Sequence, residues 1–195
     1  APDDPDVLQG RALVAPNQWP DRHAPRLKQQ LLPYYDAVLD LSRLVLRALA
    51  RGLGKQPDFF APAYVNPLGR GQLVYYPPQT DTDRDAERFG AAAHSDFGVL
   101  TILMQDNAGG LQVLNKAGIW IEAPPLKDSF VCNIGDLLER WTNGQLVSTK
   151  HRVVNQTSNA RFSIPIFCDP ASEAVIDPRD FDELASYEAF APCEA

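Results

Sequence analysis

The stretch Ala91-Ala92-Ala93-His94-Ser95-Asp96-Phe97-Gly98-Val99-Leu100-Thr101-Ile102-Leu103-Met104 decides how the chain is read. It holds two strand candidates, 90–94 and 99–104, separated by a short turn, and the first ends in His-x-Asp. Side chains alternate along a strand, so His94 and Asp96 face the same way. One imidazole and one carboxylate side by side at a strand end are two candidate metal ligands.

Outward from this stretch the pattern continues. Further strand candidates are 72–76, 111–114, 118–122, 130–134, 146–154 and 161–168, with a short one at 174–177. Turn signals separate them at Asp106 to Gly110, Lys116 to Gly118, Gly135-Asp136 and Gln156 to Asn159. Eight or nine short strands at this spacing predict a sandwich or barrel and exclude a parallel βαβ sheet. One short helix interrupts them, capped by Asp136 and running to Trp141, with Asn143-Gly144 as its stop.

Upstream, residues 1–25 read as loop, punctuated by five prolines, with Trp19 as an aromatic anchor. Residues 26–53 form the clearest helix. Leu27, Leu31, Tyr34, Val38, Leu41, Val45 and Ala48 make one apolar stripe, and Gly52 and Gly54 end it. Pro33 is expected to bend this helix or mark its start. A turn or short helix over 57–62 carries Phe59 and Phe60 inward. The acidic tail shows a weak helical pattern in Phe181, Leu184, Tyr187 and Phe190. The expected organisation is 1–62 as an N-terminal loop and helical segment, 63–177 as a β core, and 178–195 as a tail.

Composition narrows the function. The 195 residues are 45% hydrophobic and 22% charged, an ordinary globular balance. The net charge is −7 and no basic run stands out, so neither nucleic acid nor an anionic membrane surface is an expected partner. No stretch has the length of a membrane span, and the opening residues lack a secretory pattern. Of three cysteines, Cys132 and Cys168 read as buried core thiols and Cys193 lies in the tail, which suits a reducing cytoplasm.

Three histidines are present, and His23 sits in the proline-rich opening, where a surface position is expected. His151 falls on a later strand. With His94 and Asp96 it completes the two-imidazole, one-carboxylate set of a non-haem Fe(II) site, which leaves coordination positions open. Arg161 and Ser163 again stand two apart and share a face. A guanidinium fork matches a carboxylate, so this pair suits the far end of a 2-oxo dicarboxylate such as 2-oxoglutarate. His-x-Asp or Arg-x-Ser alone is weak; the ordered combination on a β-barrel is specific.

Several segments carry a family resemblance. These are Tyr75-Tyr76-Pro77-Pro78, His94 to Gly98, Gly109-Gly110-Leu111-Gln112-Val113, Asn133 to Asp136, His151-Arg152-Val153 and Arg161 to Pro165. Together with Pro16-Asn17-Gln18-Trp19-Pro20 and the helix after it, they resemble the isopenicillin N synthase-like Fe(II)/2-oxoglutarate-dependent dioxygenases. The resemblance implies a double-stranded β-helix (jelly roll, cupin-like) with the long N-terminal helix packed on the sheet. It implies Fe(II) on His94, Asp96 and His151, 2-oxoglutarate on Arg161 and Ser163 with Tyr76 beside it, and O₂ as oxidant. A cytoplasmic monomer hydroxylating, desaturating or cyclising a small molecule is the expectation. Phe97 is a candidate pocket wall or core residue, and Leu103, Leu111 and Val113 are candidate barrel-lining residues. Trp141 is expected to pack or to cover the mouth, and Arg152 to point away from His151 into an ion pair. Family members with another co-substrate, members that fragment 2-oxoglutarate to ethylene, and a truncated non-catalytic metal-binding paralogue share these motifs. Many members also have a longer N-terminal part and a closing C-terminal helix, so the resemblance implies a short form or a fragment.

Overall fold

A computed structural model of the chain describes residues 5–11, 14–79, 90–154 and 159–192. The chain divides into two compact units.

The larger unit, residues 71–167 and 178–187, is built of antiparallel strands. One sheet has the order β3-β8-β5-β6, with β3 Ala91–His94, β8 His151–Val153, β5 Leu111–Leu114 and β6 Trp120–Glu122. In the other, β9 (Arg161–Asp169) lies beside β4 (Leu100–Gln105), β4 beside β7 (Val131–Ile134), and β2 (Val74–Tyr76) pairs with β9. Period-two alternation is strict where it matters. Arg161, Ser163, Pro165 and Phe167 of β9 all point into one cavity, as do Thr101 and Leu103 of β4 and Val131 and Asn133 of β7. On the opposite face of β4, Leu100 and Ile102 are fully buried. This is the jelly roll that the family resemblance implies, within the sandwich or barrel class that the strand spacing predicts.

The strand over 146–154 shortens to His151–Val153. Its early N–H groups go elsewhere: Leu146 donates to Thr142 Oγ1 and Ser148 to Glu139 Oε2 (3.2 and 2.5 Å). Both acceptors belong to the short helix α3 (Asp136–Trp141) or its end. Asp136 is the first residue of α3 and does not cap it; extended Gly135 holds that position. Asn143 and Gly144 both take positive φ and end α3 as expected. Strand β6 begins at Trp120 because Asn115 Oδ1 accepts from the N–H groups of Ala117 and Ile119, turning the chain there.

The smaller unit comprises residues 1–70, 168–177 and 188–195. One helical turn, α1 (Pro5–Leu8), interrupts the expected opening loop, with proline at its first position. Helix α2 spans Leu27–Gly52. Pro33 lies inside it, so it does not mark the start. The buried stripe runs through Val38, Ser42, Leu46 and Ala50, while Ala48, expected inside, is exposed. A real helix turns 100° per residue, and this carries the C-terminal half of the stripe onto neighbouring positions. Strand β1 (Leu68–Gly71), absent from the sequence reading, runs beside the end of β9, with Leu68 N–H donating to Pro170 O at 3.2 Å. Tyr35 of α2 donates to the Gly69 carbonyl at 2.8 Å and packs α2 onto β1. Phe60 is buried against Phe59, just before a 3-10 turn at Ala61–Tyr64.

Two expectations are corrected here. Cys132 is exposed: β7 lies at a sheet edge, and alternation sends Val131 and Asn133 inward and Cys132 outward. Cys168 is buried, and both thiols are free. Among the described residues the tail has no α-helix. It forms a 3-10 turn at Pro178–Asp180, and the strand expected at 174–177 is a single bridge between Ile176 and Phe190. The turn expected at Gln156 to Asn159 falls largely on 155–158, outside the described residues, as does Cys193.

Candidate metal and co-substrate site

The jelly roll brings His94, Asp96 and His151 together. His94 and His151 are directly paired across β3 and β8, with ring centroids 4.3 Å apart. Asp96 follows β3 on the crossing to β4. One donor atom from each of the three residues lies within 4.8 Å of the others. Asp96 Oδ1 stands 3.9 Å from His94 Nε2 and 3.6 Å from His151 Nε2. Both gaps are under twice an ordinary metal–ligand bond of about 2.1 Å, so one ion can span them.

The outer atoms of each side chain are occupied. His94 Nδ1 lies 2.7 Å from the Ala92 carbonyl and His151 Nδ1 3.1 Å from the Thr149 carbonyl. A carbonyl only accepts, so these contacts suit the tautomer with the proton on Nδ1, which turns Nε2 inward as the ligand atom. Asp96 Oδ2 accepts from Thr101 Oγ1 at 2.5 Å and from Asn133 Nδ2 at 2.8 Å. Only Oδ1 remains for the ion. The donor set and its orientation therefore fit Fe(II).

The loop that carries Asp96 is held by backbone. The N–H groups of Asp136 and Leu137 donate to the carbonyls of Asp96 (2.7 Å) and Phe97 (3.0 Å), and Gly135 N–H donates to Val99 O (3.0 Å). Ser95 Oγ donates to Asp136 Oδ2 at 3.1 Å. Gly135 is required by close approach, since a Cβ there would lie 2.9 Å from the Asp96 carbonyl oxygen and against the carbonyl of Gly98.

The three candidate ligands open on a cavity of about 300 Å³ whose walls come from both sheets. Arg161 lines it from β9 and is 1% exposed. Its Nε donates to Gly109 O (2.8 Å), and its two terminal nitrogens to Gln105 Oε1 (3.2 Å) and Ser163 Oγ (3.3 Å). All three partners are neutral. Among the described residues no carboxylate pairs with this buried cation, an arrangement that favours an anionic ligand. Tyr76, paired in register with Arg161, lays its ring 4.8 Å from the guanidinium carbon. Tyr75 turns outward and stacks on exposed Phe162.

Leu103, Leu111 and Val113 line the cavity as expected. Phe97 does neither of the things expected of it: it is 49% exposed and lies off the cavity wall. Trp141 packs, buried, with its indole N–H on Asp180 Oδ2 at 2.9 Å. Arg152 points away from His151, bonds Gln112 Oε1 and stacks on Trp120. His23 is exposed. Sequence reasoning missed the roles of Thr101, Asn133 and Gln105. Asn133 stood in a quoted motif, but the register that sets it opposite Thr101 is not written in local sequence.

A jelly roll with two histidines and one aspartate at the mouth of a cavity, and a buried arginine in its wall, defines a class: the mononuclear non-haem iron oxygenases. Residues 71–170 match the family model of the 2OG-Fe(II) oxygenase superfamily. The 2-oxoglutarate-Fe(II) type oxidoreductase hxnY of Emericella nidulans is 36% identical over 168 residues, covering 85% of this chain and 48% of that protein. A homoarginine-6-hydroxylase of Glycine max is 36% identical over 176 residues, covering 88% and 53%. The crystal structure of a full-length Neurospora crassa protein in complex with alpha-KG superposes with a TM-score of 0.88 at 29% identity, covering 94% of this chain and 61% of that one. The chain belongs to the 2OG-Fe(II) oxygenase superfamily, whose cofactors are Fe(II) and 2-oxoglutarate. It spans about half the length of the curated relatives it matches. Among the described residues, no helix is long and apolar enough to cross a membrane.

Proposed function

We propose that this chain carries the catalytic core of a dioxygenase that couples oxidative decarboxylation of 2-oxoglutarate to oxidation of a small organic substrate, by hydroxylation, desaturation or cyclisation. His94, Asp96 and His151 hold Fe(II). Bound Fe(II) supplies the oxidising chemistry, consuming O₂ and 2-oxoglutarate and releasing succinate and CO₂. Arg161 and Ser163 bind the distal carboxylate of 2-oxoglutarate, and Tyr76 flanks it. The aliphatic walls, including Leu103, Leu111, Val113 and Val153, exclude water from the reacting groups.

One observation carries this reading. Among the described residues, a buried guanidinium whose hydrogen-bond partners are all neutral shares one cavity with a His/Asp/His donor set whose outer atoms are already bonded. A purely structural arginine would be expected to have found a carboxylate. A reducing compartment belongs to the same proposal, since Cys132 and Cys168 are free thiols and Fe(II) must stay reduced. Anaerobic titration of the Fe(II) protein with 2-oxoglutarate tests it. A visible charge-transfer band should grow in, vanish in His151→Ala, and require far more 2-oxoglutarate in Arg161→Ala. A wild-type protein that binds Fe(II) and gives no band would overturn the proposal.

A further inference from the structure

Asp96 has two oxygens, and a carboxylate can give an ion one or both. Here Oδ2 is taken by two donors at 2.5 and 2.8 Å, Thr101 from β4 and Asn133 from β7. Thr101 and Asn133 are directly opposed in the β4–β7 register, so their side chains rise from adjacent strands on the same face and meet Asp96 together. Asp96 comes to them from the turn between β3 and β4. Thr101 and Asp96 are both buried, at 4% and 8% exposure, so water cannot substitute freely for the Thr101 hydroxyl.

Resting on the functional reading above, we propose that Thr101 and Asn133 are positioning residues that hold Asp96 as a one-oxygen ligand. Their bonds occupy Oδ2, orient Oδ1 toward the two Nε2 atoms, and keep Asp96 from claiming a second position at the metal. The consequence is specific. A facial set of three donors leaves room for a bidentate 2-oxo acid and O₂ together, whereas a two-oxygen aspartate would compete with one of them. Neither residue touches the ion or the co-substrate in this scheme; both act through Asp96.

The test uses Co(II) as the probe, followed by visible absorption and by titration. Thr101→Val conserves shape and removes only the hydroxyl. It should weaken Co(II) binding about tenfold, within the range of about 10–100-fold seen when the partners of metal ligands are removed. It should also change the position and intensity of the Co(II) bands and weaken 2-oxoglutarate binding to the loaded protein. Thr101→Ser, which restores the hydroxyl, should return all three to wild type; a packing defect would not be rescued by the smaller residue. Asn133→Leu, on an edge strand, should reproduce the spectral change and gives a second reading if Thr101→Val folds poorly. Wild-type spectrum and affinity in either folded donor-less variant overturns the proposal. Failure of the underlying functional reading looks different: wild-type protein and His151→Ala would then bind Co(II) alike.

Discussion

Replacing Gly135 by alanine should loosen the turn that carries Asp96 without touching any candidate ligand. The backbone at Gly135, φ −100° and ψ 172°, is open to any residue, so the cost is purely steric. The new Cβ would sit on the Gly98 carbonyl, 2.6 Å from its carbon and 2.9 Å from the Asp96 oxygen. The nearest atom is the Gly98 oxygen, and reaching ordinary contact with it demands a shift of more than about 1 Å. Three bonds cross this gap, from the N–H groups of Gly135, Asp136 and Leu137 to the carbonyls of Val99, Asp96 and Phe97, at 2.7–3.0 Å. Lengthened by the same amount, they leave hydrogen-bonding range. At about 1 kcal/mol net for each, the loss is about 3 kcal/mol, or a fall in melting temperature of roughly 6–12 °C for a chain of this size. Asp96 moves with the turn, so Fe(II) or Co(II) affinity should fall as well. Thermal unfolding by circular dichroism and metal titration measure the two effects, with Gly52→Ala as the control, since a Cβ there meets nothing within 4 Å. A Gly135→Ala protein with wild-type melting temperature and wild-type metal affinity would refute the reasoning.

Arg161→Lys keeps the charge but loses the fork, and should weaken 2-oxoglutarate binding about tenfold; Arg161→Ala, losing two charge-assisted bonds, should weaken it about 100-fold or more. Both are read from the charge-transfer titration, with metal affinity as the parameter that should hold. Gly69→Ala should destabilise the smaller unit, because a Cβ there would displace the Tyr35 hydroxyl and press on Leu39 at 3.2 Å; urea unfolding reads the loss. Burial, then the nearby Asp169 carboxylate and Cys168 thiol, holds the Tyr64 hydroxyl well above its ordinary pKa of 10.0. The folded state therefore favours the neutral phenol, and this contribution is full below pH 10 and lost as pH rises through the raised value. Tyr64→Phe should lower stability near neutrality by about 1 kcal/mol, through the lost bond to Cys168 O, and flatten the decline above pH 10 in urea midpoints.

What could be read from the sequence and what could not divide along a physical line. Alternation is local, and it is enough to aim Arg161 with Ser163 into one cavity; Asp96 lies past the end of β3, so its place beside His94 comes from the turn and not from strand alternation. Leu103, Leu111 and Val113, which the resemblance offers as barrel-lining residues, stand in the cavity wall. Pairing is not local. Nothing near Thr101 announces Asn133, 32 positions away, as the residue beside it, yet that pairing decides which oxygen of Asp96 stays free. The same holds for Arg161, whose guanidinium is framed by Gln105 and by the Gly109 carbonyl, both from the β4–β5 region. Cys132 went wrong for a related reason. Its thiol is expected in the core, and only the sheet order among the described residues shows that β7 is an edge with Cys132 on its outer face.

The same distinction explains why the site looks the way it does. Each candidate ligand is held at its outer atom by a group the local motif does not contain: Ala92 O for His94, Thr149 O for His151, Thr101 and Asn133 for Asp96. Both carbonyl partners stand two residues before their histidine, Ala92 on β3 and Thr149 just ahead of β8. The aspartate has no such help, because it sits on a turn, and it draws its partners from two strands of the opposite sheet. Its geometry is thus the one part of the triad that depends on the two sheets closing over each other. Substitutions that loosen the β4–β7 pairing should therefore release Asp96 before either histidine. Metal affinity and the Co(II) spectrum should then change while the His94–His151 pairing across β3 and β8 persists.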